Sequence, residues 1–203
     1  MNLSRPASNR EETRAFLEAH HSGFHLPDYV VPSGYILVAN SPKTTADGVV
    51  QSICLISTSG PQPETVYKVK KIVRDCPNAY LPIENCTQLI VWRQFDGVHS
   101  DVLSRFARQV FNFLLQSHNI MITDEEQTDD GRRFWLNRIS ESFSMSDRNV
   151  YYIDLNNVDD QLVPIVERIR DNEEMMDEYY EKGWGNNEDH KNRAFLISKL
   201  NLS

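Results

Sequence analysis

Long apolar runs are missing: no stretch approaches the ~20 residues that a membrane-spanning helix needs, so no membrane insertion is expected. The first thirty residues carry charges throughout and no apolar core of the signal-peptide kind, so no export signal is expected. Positive charge is scarce. Lys and Arg number 21 against 29 Asp and Glu, and the resulting formal charge of -8 has the wrong sign for a general nucleic-acid coat. Cysteine is sparse: Cys54, Cys76 and Cys86 are an odd number without zinc spacing, which fits reduced thiols and a cytoplasmic location. Eight glycines and nine prolines in 203 residues exclude collagen-like and low-complexity chains. No Walker loop, dinucleotide fingerprint or Ser-His-Asp set can be read. His20, His21 and His25 cluster, and His21/His25 have i, i+4 spacing. Gly23 and Pro27 argue against a helix there and no third ligand is evident, so no metal is expected.

What is present is a core's worth of pattern: 40% apolar and 25% charged residues, the proportions of an ordinary globular chain. Glu11–His20 is expected to form a short helix with Phe16 and Leu17 inward. Tyr35–Asn40 and Val49–Ser57 read as strands, with Asp47-Gly48 as a hairpin-type turn signal. Val66, Val69, Ile72 and Val73 are spaced for a helix over Val66–Asp75, although their β-branched side chains leave a strand open. Thr87–Arg93 has the short apolar run of a buried strand. Asp101–Ser117 is an amphipathic helix, with Leu103, Phe106, Val110 and Leu114 on its apolar face and Ser100 as N-cap. Asn119–Thr123 is a strand, Thr128–Phe143 a helix with Trp135, Ile139 and Phe143 in line, and Asn149–Leu155 a strand. Asp159–Lys182 is expected as a third helix, with Pro164 in its first turn, an Ile165–Ile169–Met176 stripe and Gly183 at its end. Ala194–Leu200 is the last apolar element. Strand and helix alternate over residues 87–182, so the fold class is α/β. One domain over 1–203 with a mixed antiparallel and parallel sheet is expected, with residues 1–10 and 183–193 loose. Two crossovers of βαβ length imply neighbouring parallel strands.

Between the strand TQLIVWR and the helix from Ser100 lies Gln94-Phe95-Asp96-Gly97-Val98-His99. In this order of elements the segment resembles the pyrophosphate loop, Q/R-x-x-G-x-G/A, of the GNAT acyl-CoA N-acyltransferase superfamily. Those proteins begin with a helix and antiparallel strands, then run a central strand, a long helix, a strand, a helix and a final β segment. The resemblance implies acetyl-CoA as cofactor, held by main-chain N–H groups at a helix N-terminus, with Gln94, Gly97, Val98 and His99 shaping the loop. The segment IMITDEEQTDDGRRFW is similar to GNAT-like proteins of phages and mobile elements. Where the family keeps an Asn and a proton-donating Tyr, this chain has Gln127 or Thr128 and then Phe134 and Trp135. The resemblance therefore implies either a non-catalytic interaction protein on a degenerate GNAT-like scaffold, acting on a host macromolecule, or an acetyl-CoA-dependent N-acyltransferase.

Carboxylates mark two further places. Asp124, Glu125, Glu126, Asp129 and Asp130 crowd the end of a strand, where they serve as helix caps, or else as a general base or a Mg²⁺ site. Toward the end of the third helix, Glu174, Asp177 and Glu178 stand among Met175, Met176, Tyr179 and Tyr180. They form either a solvated face or a docking surface for a host protein partner. Arg132, Arg133 and Arg138 mark either an anionic-ligand pocket or the charged flank of a core stripe.

Overall fold

A computed structural model describes residues 3, 5–19, 21–74, 85–94, 97–123, 129–185 and 192–202, with the main chain alone at 104 and 105. The chain divides into two compact units, Met1–Val73 with Leu89–Leu114, and Arg74–Gln88 with Leu115–Ser203. The fold is α/β with a mixed sheet in which every described strand pairing but one is antiparallel.

The first unit holds helix α1 (Pro6–Glu18) and strands β1 (His21–Gly23), β2 (Tyr35–Asn40), β3 (Lys43–Thr45), β4 (Gly48–Ser57) and β5 (Glu64–Arg74). It also holds the Leu89–Arg93 end of β6 (Cys86–Arg93), and helix α2 (Ser100–Leu115) up to Leu114. The strand order is β1-β2-β4-β5-β6, with β3 folded onto β4. Two helices cover opposite faces because the pleat sends alternate residues to opposite sides. Phe16 and Leu17 of α1 lie on Val38, Cys54 and Ile56. On the other face the Phe106 ring of α2 meets Tyr67 edge-on at 5.1 Å. Phe106, Val110 and Leu114 are all buried, as their spacing requires.

Residues 66–74 lie in strand β5 and not in a helix, and Asp75 lies outside the described residues. The β-branched residues there are read better by a pleated surface: Tyr67 and Val69 fall on one side and Ile72 on the other, and these and Val66 are buried. The register of β4 on β5 slips once, from Leu55↔Tyr67 to Ile56↔Thr65, which leaves Val66 as the extra residue of a β-bulge. The freed Val66 carbonyl accepts the Gln94 N–H at 3.0 Å. Next to the bulge, the main-chain groups of Thr65 are bonded by the side-chain amide of Asn9. Its Nδ2–H₂ donates to the Thr65 carbonyl at 2.9 Å and its Oδ1 accepts the Thr65 N–H at 2.8 Å. Thr13 Oγ1 accepts the same N–H at 2.9 Å and joins Thr65 Oγ1 at 2.7 Å. Asn9 and Thr13 are 3% and 1% exposed, so the segment expected to be loose at residues 1–10 contains the anchored start of α1.

The second unit contains the Cys86–Gln88 end of β6, β7 (Asn119–Thr123), α3 (Asp129–Phe143), β8 (Asn149–Val158) and β9 (Pro164–Ile169). A short α4 (Asn172–Glu174), a π-helical turn Met175–Tyr179, α5 (Tyr180–Trp184) and β10 (Arg193–Ser198) complete it. The strand order is β6-β7-β10-β8-β9. β6 and β7 are parallel neighbours, Cys86↔Asn119 to Gln88↔Met121, as a right-handed crossover predicts. The second crossover does not make neighbours. β10 runs antiparallel between β7 and β8, so the final apolar segment takes the central place expected for a parallel contact. Its pattern explains why: Ala194 to Ser198 are buried without interruption, which only an internal strand allows.

The third helix is shorter than its periodicity predicts. Asp159 Oδ1 accepts N–H groups from Gln161 and Val163 at 2.8 and 2.9 Å, and Leu162 takes a left-handed φ of 63°. This local turn competes with helix, and Pro164 then opens strand β9 against β8. Helix begins only at Asn172, capped by Asp171. Gly183 lies inside α5, buried beside Trp184, and does not end the helix in a loose segment. Trp184 stacks on Phe195 at 4.5 Å. Among the described residues no helix is long and apolar enough to cross a membrane.

Asn9→Ala leaves two main-chain groups of Thr65 to a single hydroxyl in a buried place. It should destabilise the protein by about 2–3 kcal/mol, read as a lower urea midpoint with an unchanged slope. A midpoint within error of wild type would mean that water replaces the amide at no cost.

Candidate functional site

The loop ahead of α2 is where the candidate cofactor residues come together, within the first unit. Gln94 is tied by its main-chain N–H to the bulge at Val66. Phe95 and Asp96 lie outside the described residues. Gly97 has a φ of 77°, a conformation that L side chains rarely adopt, and a Cβ there would meet nothing within 4 Å among the described residues. Val98 is 78% exposed. The turn closes through Ser100 N–H to the Gly97 carbonyl at 3.2 Å, and the His99 carbonyl accepts from Val102 and Leu103, which makes Ser100 the first helical residue and not the cap.

His99 decides the character of this loop. Its imidazole turns inward and is 6% exposed. Nδ1 lies 2.7 Å from the Tyr35 hydroxyl and Nε2 lies 3.6 Å from Glu64 Oε1. The two rings meet edge to face, with centroids 5.7 Å apart. Tyr35 and Glu64 are brought beneath His99 by strand register. Tyr35 of β2 pairs with Ser57 of β4, and Ser57 pairs with Glu64 of β5, so the three share one row on one side of the sheet. Glu64 directly precedes the Thr65 position that Asn9 clamps, and Tyr35 directly follows Gly34, which has a φ of 84°. Both polar side chains therefore issue from fixed backbone.

The other groups near this sheet carry no comparable chemistry. Burial pushes the Cys54 thiol up to about 12, so it is no thiolate nucleophile. Lys68, its cross-strand partner, is lowered by burial. Tyr29 is raised, first by burial and then by the neighbouring Tyr35, and its buried hydroxyl has no hydrogen-bond partner among the described residues. Cys86 is a buried free cysteine, and Cys76 lies outside the described residues.

Of the residues considered for docking, Glu174 is already engaged. Its carboxylate accepts from Arg170 main-chain N–H at 2.6 Å and from the Arg170 guanidinium at 3.0 Å through both oxygens. Asp177 and Glu178 lie exposed on the π-helical turn beside Met176, which is 50% exposed. Asp124, Glu125, Glu126, Gln127 and Thr128 lie outside the described residues, as does His20. His21 sits in β1 opposite Asn40 and not in a loop. Among the described residues no three metal-ligating side chains gather. Arg132 pairs with Asp129 at 2.8 Å and Arg138 with Glu141 at 2.8 Å, the arrangement of a charged helix flank. Trp135 is buried and Phe134 stacks edge-on against it at 5.0 Å.

Sequence reasoning found His99 but missed Tyr35 and Glu64. They stand far apart in the chain, at strand ends, and only the two registers through Ser57 unite them. No short motif carries that signal.

No family model matches this chain, and no curated protein or solved structure shows significant similarity to it.

Two carboxylates of the second unit are held below the usual range: Glu174 by hydrogen bonds from Arg170, and Asp147 by Lys199 at 2.8 Å. At these groups the folded chain binds fewer protons than the unfolded chain. Their stabilisation is complete above the ordinary carboxylate range near about pH 4 and is lost as pH falls through the lower folded values. Urea midpoints measured from pH 6 down to pH 3 should therefore fall, and Glu174→Gln should flatten that fall. An equally steep profile in the variant would show that the Arg170 pair contributes nothing.

Proposed function

We propose that this chain is a GNAT-like protein that binds acetyl-CoA through the loop ahead of α2. The observation that carries this reading is the inward turn of His99. A histidine replaces the small residue of the family's loop, yet its side chain is buried against Tyr35 and Glu64 and does not point out from the loop. Gly97, with open space among the described residues where a Cβ would stand, lets a bulky anion approach the main chain. The succession of helix, antiparallel strands, strand–loop–helix and a parallel partner strand supports the same reading. Gln94, Gly97, Val98 and His99 would hold the pyrophosphate, and the helix dipole of α2 favours its charge. The cofactor would supply an activated acyl thioester. Neither Phe134 nor Trp135 offers a proton to a departing thiolate, so binding is better supported than acetyl transfer.

Saturating acetyl-CoA, at about a hundredfold above its dissociation constant, should raise the melting temperature by about 5–10 °C. Acetyl-pantetheine, which lacks the pyrophosphate, should not. Gly97→Val forces a branched side chain into a left-handed backbone and should remove the shift. An equal response to both ligands, or to neither, would sink the proposal.

A second reading rests on the exposed Met176, Asp177 and Glu178: a non-catalytic protein of a phage or mobile element that docks on a basic host protein. Because Glu174 is held by Arg170, Asp177 and Glu178 would carry the encounter. Reversing both to Lys should abolish capture of a partner from lysate while changing stability by about 0.5 kcal/mol or less. A captured partner indifferent to the reversal would exclude this surface.

A further inference from the structure

The Tyr35–His99–Glu64 chain is not required by the binding of a pyrophosphate, and its chemistry is of another kind. We propose that these three side chains form a proton relay that makes the Tyr35 phenol a nucleophile toward acyl electrophiles, with activated carboxylic esters as the substrate class. The proposal does not rest on acetyl-CoA binding.

The geometry assigns the roles. Tyr35 Oη is 2.7 Å from His99 Nδ1, within the reach that a general base needs. With Nε2 turned to Glu64 Oε1 at 3.6 Å, the carboxylate favours the tautomer that carries hydrogen on Nε2 and leaves the Nδ1 lone pair facing the phenol. The base lies deeper than the nucleophile. His99 and Glu64 side chains are 7% and 24% exposed, while Tyr35 is half-buried at the start of β2. The carboxylate would compensate the imidazolium that forms when the phenolic proton moves. In the step itself, Tyr35 Oη forms a bond to the ester carbonyl carbon as His99 Nδ1 takes its proton. The carbon–oxygen bond to the leaving alcohol then breaks, and that oxygen receives the proton from Nδ1. Water attacks the acyl-tyrosine by the same route and releases the carboxylic acid and the phenol.

Tyr180 supplies the comparison: it too is half-buried, whereas the Tyr29 hydroxyl is itself buried, so the relay is read as Tyr35 against Tyr180.

The probes are an arylsulfonyl fluoride, which sulfonylates activated phenols with loss of fluoride, and p-nitrophenyl acetate, which would leave an acetyl group on Tyr35. Peptide mass spectrometry of the intact chain should show Tyr35 modified at least about tenfold faster than Tyr180. His99→Gln should bring Tyr35 down to the rate of Tyr180, Glu64→Gln should slow it by an intermediate factor, and Tyr35→Phe should eliminate the adduct. Circular dichroism melts identify any variant that fails to fold, and the comparison among tyrosines in the wild-type chain decides the matter without any variant. Tyr35 reacting no faster than Tyr180, or reacting equally well in folded His99→Gln, would overturn the relay.

Discussion

One side-chain amide organises the first unit. A β-bulge at Val66 breaks the ladder between β4 and β5, and a broken ladder inside a protein leaves main-chain groups that must find other partners. Asn9 answers both groups of Thr65 with one planar amide, as a neighbouring strand would. The arrangement joins three things that the chain keeps apart: the first turns of α1, the start of β5, and the Gln94 strand end that uses the carbonyl freed at Val66. Glu64 precedes the clamped residue, so its carboxylate inherits a fixed position.

The loop ahead of α2 depends on this frame through His99. A histidine at that place has two outcomes of opposite sense. Turned outward its ring would stand on the solvent side of the loop, and turned inward it does not. Tyr35 and Glu64 decide for the inward turn, because they offer a hydroxyl and a carboxylate to the two ring nitrogens on one side of the sheet. A buried imidazole without a partner would cost free energy; here the Tyr35 hydroxyl bonds one ring nitrogen at 2.7 Å and the Glu64 carboxylate stands 3.6 Å from the other. The contacts that turn His99 inward are the same ones that the proposed relay uses.

Periodicity made the amphipathic α2, the strands on either side of it and their parallel pairing legible in the sequence, because one helical stripe and one apolar run leave few alternatives. It failed where a local hydrogen bond competed with a long pattern. Val66 to Val73 satisfy helix and strand spacing alike, and only the partner strand β4 decides. Asp159 binds two N–H groups of its own turn and diverts residues 159–171 from the helix that their apolar spacing suggests. The placement of β10 between β7 and β8 is a matter of non-local pairing, which no periodicity encodes. Of the site, the Gly97 turn and His99 were readable because they sit in one short segment between a strand and a helix. Tyr35 and Glu64 were not, since strand register alone places them in one row.

The early end of the long helical pattern also changes where negative charge can act. As one helix, residues 159–182 would carry their carboxylates along a continuous face. Instead Asp159 is taken up by a turn, Glu167 lies on β9 and accepts the Tyr179 hydroxyl at 2.9 Å, Asp171 caps α4, and Glu174 binds Arg170. Each of these carboxylates holds its own neighbourhood together, which the composition of the segment cannot reveal. The π-helical turn widens the helix by one residue per turn, so that Met175 and Tyr179 point into the unit while Met176, Asp177 and Glu178 face outward. Charge that looks like one acidic surface in the sequence is thus divided between turns, caps and ion pairs, and its exposed remainder is concentrated where the helix geometry changes.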